Sequence, residues 1–305
     1  MPLPLNPMIA YHPLYVHPLP EDHRFPMIKY ELLHEQLLRE GVVEESDFFE
    51  PGIIEEETIL MTHNKEYWEK LKSLSFTRLE ARRTGFPLSE PLIQRELHIA
   101  KGTLDSALWA LENGYGFNIA GGTHHAGSNW GEGFCLLNDQ AIAANYLLTY
   151  SGINKILIID LDVHQGNGTA EIFYNDDRVF TFSMHGKNNF PFKKEKSSLD
   201  IGVEDGMGDV EYLKILERVL PELFEKVNPE FVFYLSGVDV LTTDKMGKLK
   251  LTIDGCRKRD EIIYTLCKQY VVPVQTSMGG GYSSLLYQIV DAHCNTFKEA
   301  LKILD

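Results

Sequence analysis

The sequence predicts an α/β fold: a single-domain, open, mostly parallel β-sheet with helices on both faces. Three observations predict it. Short, wholly apolar runs alternate with stretches of helical length, polar clusters collect where those runs end, and no repeat, low-complexity tract or linker divides the 305 residues. Apolar strands alternating with helices are the pattern of a parallel sheet buried on both sides.

Residues 1–27 are rich in Pro and His and read as an irregular arm. Over 27–40, Ile28, Leu32, Leu33, Leu37 and Leu38 fall on one helical face, and Gly41 closes that helix. An exposed loop is expected over 73–90, then a second amphipathic helix over 91–113, ended by Asn113-Gly114. The rhythm then changes. Apolar runs at 116–120, 155–160, 178–183, 230–236 and 271–277 read as strands, with helices at about 137–150, 168–175, 208–227, 256–269 and 283–303.

Composition narrows the function. Lys plus Arg is 29 and Asp plus Glu is 44, a formal charge of −15, with 44% apolar and 24% charged residues. These are globular proportions. No direct nucleic-acid binding is expected, because gripping phosphate needs a basic surface. The acidic balance suits lysine-rich substrates in a general way, and is equally what solubility asks for. Cys135, Cys256, Cys267 and Cys294 form no C-x-x-C pair and read as buried reduced thiols. No apolar run approaches the ~20 residues of a membrane span. Four prolines and no basic region in the first 15 residues are unlike a secretory signal. A cytoplasmic location is expected.

The chemistry gathers at the strand ends. Gly121-Gly122-Thr123-His124-His125 follows the first strand, and Asp160-Leu161-Asp162-Val163-His164 lies on the second. Ser236-Gly237-Val238-Asp239 ends the fourth, and Gly279-Gly280-Gly281-Tyr282 follows the fifth. Ligands of open α/β sheets bind at this carboxyl edge. If the second strand continues, alternation puts Asp160, Asp162 and His164 on one face. Buried charges must pair or bind a metal. Asp239 alone resembles a helix N-cap; with Asp162 and His164 it makes an Asp₂His set with room for water, as in catalytic zinc sites. His124 and His125 suit proton transfer, although a His pair in a loop is also ordinary polar surface. Residues 131–135 read as a mobile loop bearing Phe134, and Tyr282 offers one phenolic donor or simply packs at a turn.

Gly-Gly-Thr-His-His-Ala at 121–126, Gly-Phe-Cys at 133–135 with Asn138-Asp139, Asp-Leu-Asp-Val-His-Gln-Gly-Asn-Gly at 160–168 and Gly-Gly-Gly-Tyr at 279–282 stand in the order and spacing of a known family. The chain resembles the zinc-dependent histone deacetylases, from about His23 to its carboxyl end. His23-Arg24-Phe25-Pro26-Met27 leading into Lys29-Tyr30, Gln165-Gly166-Asn167-Gly168 and the compact length are similar to the class IV branch and its bacterial relatives.

The resemblance implies an arginase/deacetylase fold, with an arm over 1–22 and a catalytic domain over 23–305. It implies a hydrolase removing acyl groups, acetyl or longer fatty acyl, from lysines of proteins or peptides. The alternative is a deacetylase of small amines such as acetylpolyamines. Asp162, His164 and Asp239 would bind zinc, with Fe²⁺ as the other metal such a set accepts. His125 would be the general base, His124 its partner oriented by Asp160, and Tyr282 the donor to the substrate carbonyl. Asn167 stands where many members carry the second supporting Asp. The acyl-lysine slot would run between Phe134 and Phe190, with Gly133 beneath and Met246 near the mouth. A monovalent cation, K⁺ or Na⁺, would sit at Asp160, Asp162, His164, Ser183 and Met184, and a second at Phe173, Asp176 and Val179. The rim Asp of class I members has no match, because 82–91 reads differently. A spent binding module would have lost Tyr282 or a dyad histidine, and a binuclear ureohydrolase would need a richer Asp/His cluster.

Overall fold

A computed structural model describes residues 8–304; residues 1–7 of the expected arm, and Asp305, lie outside the described residues. Its strands are β1 (Ile9–Ala10), β2 (Phe48–Phe49), β3 (Tyr115–Asn118), β4 (Ile156–Asp160), β5 (Val179–Gly186), β6 (Leu199–Val203), β7 (Phe231–Leu235) and β8 (Val274–Ser277). They form one sheet in the order β2-β1-β3-β8-β7-β4-β5-β6, and every pairing is parallel. The helices are α1 (Lys29–Arg39), α2 (Glu56–Ile59), α3 (Lys65–Lys72), α4 (Arg78–Thr84), α5 (Glu90–Asn113), α6 (Asp139–Tyr150), α7 (Asn167–Ile172), α8 (Asp209–Val227), α9 (Ile253–Tyr270) and α10 (Leu286–Leu304). The expected α/β architecture, helices on both faces of a parallel sheet, is the one observed.

The middle strands are buried from end to end: Ile-Leu-Ile-Ile-Asp in β4 and Phe-Val-Phe-Tyr-Leu in β7. With helices on both faces, no strand position here can be polar without a partner. The five expected apolar strands are β3, β4, β5, β7 and β8. Three others were not anticipated. Ile9–Ala10, inside the arm, pairs with both β2 and β3, and β6 forms a half-exposed edge with Gly202 within it. The loop expected over 73–90 contains α4, started by a reciprocal capping box between Thr77 and Glu80.

Register sets the site. Asn118, Ser277, Leu235, Asp160 and Ser183 lie side by side across β3, β8, β7, β4 and β5. The four polar clusters are the residues that follow this row. Arg259 of α9 holds the backbone of the Ser236–Asp239 cluster. Its guanidinium is fully buried and donates to Gly237 O (2.5 Å), Ser236 O (3.1 Å) and Asp260 Oδ1 (2.8 Å). Asp260 also accepts from Tyr234 (2.5 Å) and Thr296 (2.7 Å), so charge and polar groups are paired throughout.

Removing one partner of a buried pair leaves the other uncompensated. Arg259→Met should therefore lower stability by about 3–5 kcal/mol, read as a fall in the midpoint of denaturant unfolding. A change below ~1 kcal/mol, the size of an exposed pair, would contradict this role.

Candidate active site and metal centre

β4 ends at Asp160 rather than continuing, so the shared face expected for Asp160, Asp162 and His164 does not come from strand alternation. The carboxylates fold back instead. The Asp162 N–H donates to Asp160 Oδ1 (3.1 Å), and the His164 N–H donates to Asp162 Oδ1 (2.9 Å). Such Asx-type turns satisfy backbone donors where a strand stops. They bring His164 Nδ1 within 3.0 Å of both Asp162 Oδ1 and Asp239 Oδ2.

One ligand atom each from Asp162, His164 and Asp239 thus lies within 4.8 Å of the other two, and all three residues are buried. The remaining carboxylate oxygens are engaged: Val163 N–H donates to Asp239 Oδ1 and Gly280 N–H to Asp162 Oδ2, both at 2.8 Å. Gly280 must be glycine here, because a Cβ would collide with both carboxylates. Burial, then the neighbouring Asp162 charge, pushes the Asp239 carboxyl up to about 7. Two carboxylates this close and this dry call for positive charge. An oxygen–oxygen–nitrogen set fits one divalent cation with coordination positions to spare.

Beside the cluster stand the two histidines. Asp139 holds their turn, accepting from Gly122 N (3.1 Å), Thr123 N (2.8 Å) and Thr103 Oγ1 (2.6 Å). His124 Nδ1 lies 2.7 Å from Asp160 Oδ2. Burial opposes its protonation, but the charges of Asp160 and Asp162 outweigh burial and lift its pKa to about 9. His125 is driven the other way: burial, then His124 and His164, hold its pKa well below the usual range.

The His125 tautomer follows from a chain of partners. Arg83 donates to Glu132 Oε2 (2.8 Å), and Glu132 Oε1 accepts from Asn167 Nδ2 (2.6 Å). A carboxylate can only accept, so the Asn167 amide must turn its oxygen toward His125, whose Nδ1 is 2.6 Å away. His125 therefore carries its proton on Nδ1 and leaves Nε2 free to accept. Glu132 was missed at the sequence level. It returns a carboxylate, one residue further out, to the histidine that lacks a direct one.

Gly133, Phe134, Phe190 and Met246 line one cavity of about 400 Å³ that reaches His125, His164 and Tyr282. The loop expected to be mobile is tied down: Gly133 N–H donates to Arg83 O (3.0 Å) and Phe134 N–H to Thr84 O (2.7 Å). Gly133 has φ +57°, and a Cβ on it would come within 2.6 Å of the His125 ring. Asp244 fixes the opposite lip, accepting from Tyr282 N (2.6 Å), Met246 N (2.7 Å) and Gly247 N (2.8 Å). Burial, then the charges of Asp162 and Asp239, raises the Tyr282 phenol well above its ordinary pKa, so its hydroxyl keeps its proton. The mouth is basic. Arg24, Arg82, Arg83, Lys245 and Lys248 line it, with no carboxylate among the lining residues.

The residues expected at the monovalent sites are also brought together. Ser183 is the register partner of Asp160, and Met184 follows it, fully buried. Phe173, Asp176 and Val179 lie on two successive turns, in which Phe173 O accepts from Asp176 N and Asp176 O from Val179 N, each at 3.1 Å. The Asp176 carboxylate is paired with Arg178 (2.6 Å).

Residues 23–297 match the histone deacetylase domain profile. The chain is 42% identical over 285 residues to an uncharacterized protein of Picosynechococcus sp., covering 93% of this chain and 95% of that one. It is 31% identical over 269 residues to histone deacetylase 2 of Arabidopsis thaliana, covering 85% and 70% respectively. Against histone deacetylase 1 of Homo sapiens it is 29% identical over 290 residues and spans 58% of that relative's length. Among solved structures, the HDA15 HD domain superposes with a TM-score of 0.83 at 23% identity, covering 97% of this chain and 88% of that one, a likeness of fold.

The donor set separates two classes of variant. Asp239→Ala should lose most of the protein-bound divalent metal in elemental analysis of the purified protein, whereas His125→Ala, with no atom in the cluster, should retain it. Equal metal in Asp239→Ala, or loss in His125→Ala, would contradict this division.

Proposed function

The chain belongs to the histone deacetylase family and is a hydrolase, and we propose that it removes acetyl or longer fatty acyl groups from lysine side chains of proteins or peptides with zinc as its metal. One observation carries this reading: His124, bonded to Asp160, and His125, bonded to Asn167, stand beside the Asp162–His164–Asp239 cluster at the foot of a cavity walled by Phe134 and Phe190. The catalytic domain on this reading is 23–305. Fe²⁺ suits the same donors. K⁺ or Na⁺ beside Ser183 and Met184, and on the turns of Phe173, Asp176 and Val179, belongs to the proposal as structural ions.

An amide is a poor electrophile and water a poor nucleophile. Bound zinc supplies Lewis acidity, which polarises a carbonyl and makes water a stronger acid. His125 does the rest of the activation. With Nδ1–H spent on Asn167, its Nε2 lone pair accepts the proton of the attacking water. His124, kept cationic by Asp160, stabilises the charge that develops and provides a proton source for the departing lysine amine. The Tyr282 hydroxyl donates to the carbonyl oxygen as it gains negative charge, an oxyanion-hole contribution. Phe134 and Phe190 suit the apolar stem of an acyl-lysine.

The acetylpolyamine alternative finds less support. A polyamine is a polycation, and five Lys and Arg side chains at the mouth would repel it. Four free, buried cysteines fit a reducing cytoplasm. Among the described residues no helix is long and apolar enough to cross a membrane.

The test is turnover of lysine peptides carrying acetyl through myristoyl groups, with and without a chelator. Free lysine peptide should form with at least one acyl length, stop on chelation and return with Zn²⁺; turnover indifferent to the chelator, or none with any acyl group, would refute the reading. Tyr282→Phe keeps the ring and deletes one donor. Its kcat should fall by roughly 10²-fold or more with little change in KM and none in metal content. Activity within about threefold of the parent, worth only ~0.7 kcal/mol, would mean the phenol does not bear on the oxyanion.

A further inference from the structure

The chain carries 44 acidic and 29 basic residues, yet every Asp, Glu, Lys or Arg lining the substrate cavity is basic. Arg24 comes from the segment before α1, Arg82 and Arg83 from the last turn of α4, and Lys245 and Lys248 from the loop beyond β7. All five are exposed. Arg83 is committed to Glu132, and Lys248 donates to Asn188 O at 3.0 Å with Asp205 at 3.8 Å. Arg24, Arg82 and Lys245 have no carboxylate partner among the described residues. Three segments far apart in sequence thus place unpaired cations around one opening, while the carboxylate nearest in the chain, Asp244, turns inward to the Tyr282, Met246 and Gly247 amides.

Such an opening concentrates anions and repels cations. The charges sit at the rim rather than at the foot, where the cavity meets His125, His164 and Tyr282. They would therefore face what lies outside an inserted side chain: the residues next to it in the substrate. We propose that the substrate lysine of this site lies in an acidic segment, with Asp or Glu flanking it on the polypeptide and facing Arg24, Arg82 and Lys245. This rests on the deacylase reading above and deepens it. It also reverses the expectation from net charge that the surface favours lysine-rich substrates.

Three synthetic peptides would test it, each carrying the acyl group preferred by the enzyme on one lysine and differing only in its flanks: Asp/Glu, Ser/Gly or Lys/Arg. At low ionic strength kcat/KM should fall in that order, by about tenfold or more from acidic to basic, since steering by a like-signed cleft changes encounter rates on this scale. At ~1 M salt, where screening acts within ~3 Å, the ratio should collapse toward unity. Arg82→Glu combined with Lys245→Glu should reverse the order through KM, and Arg82→Gln with Lys245→Gln should flatten it. Equal turnover of the three peptides, or a preference that survives high salt, would overturn this inference and leave the deacylase reading intact. Preference for a neutral-flanked succinyl-lysine over an acidic-flanked acetyl-lysine would overturn it too, moving the anion onto the acyl group. No turnover of any peptide would overturn both.

Discussion

Everything in the site depends on two carboxylates that cannot both stay charged, dry and close together without a cation between them. Asp162 and Asp239 follow the paired ends of adjacent strands, β4 and β7, and both are almost wholly removed from water. His164 alone does not satisfy them, because a neutral imidazole brings no charge and a protonated one brings a single positive charge to two negative ones. A divalent cation balances the pair and also draws the Asp162 field away from His124, which bears on the proton affinity of the dyad. The same constraint explains the glycines. Gly280 leaves room for oxygens that a side chain would displace.

Behind the cluster lies a layer of fixed charge that holds it in place. Arg259 ties the carbonyls of Ser236 and Gly237 to α9. The chain of Arg83, Glu132 and Asn167 reaches His125 from the surface. The two histidines consequently differ in kind: one is backed directly by a carboxylate, the other by an amide that is itself oriented by one. Asp160 pulls the proton affinity of His124 up, while burial and the charges of His124 and His164 push that of His125 down, so environment rather than residue type separates acid from base.

Much of this was legible in the sequence. The five buried strands announce themselves as apolar runs, and the motifs at their ends fall on one register row because a parallel sheet points every strand end the same way. The short strands were not legible: Ile9–Ala10 and Phe48–Phe49 are too brief to carry a period, and β6, half exposed with Gly202 inside it, lacks a continuous apolar run. α4 has little apolar periodicity, and only Thr77 with Glu80 marks its start. In the site, Asp160, Asp162 and His164 converge through turns rather than along a strand. Glu132 was visible as a loop residue, but its link to Asn167 spans 35 positions. The basic mouth could not be read at all, since its five cations are scattered from Arg24 to Lys248 through a chain of net charge −15.

Fold and charge thus divide the labour. The sheet brings acids inward to one point, where a cation is required, and the loops bring bases outward to the rim. The central claim is the inward point, and anomalous X-ray scattering from crystals of the protein at the zinc absorption edge tests it most directly. The account predicts one dominant peak, about 2.0–2.2 Å from Asp162, His164 and Asp239 together. A metal bound elsewhere, or a zinc-supplied crystal with no peak among these three residues, would contradict it.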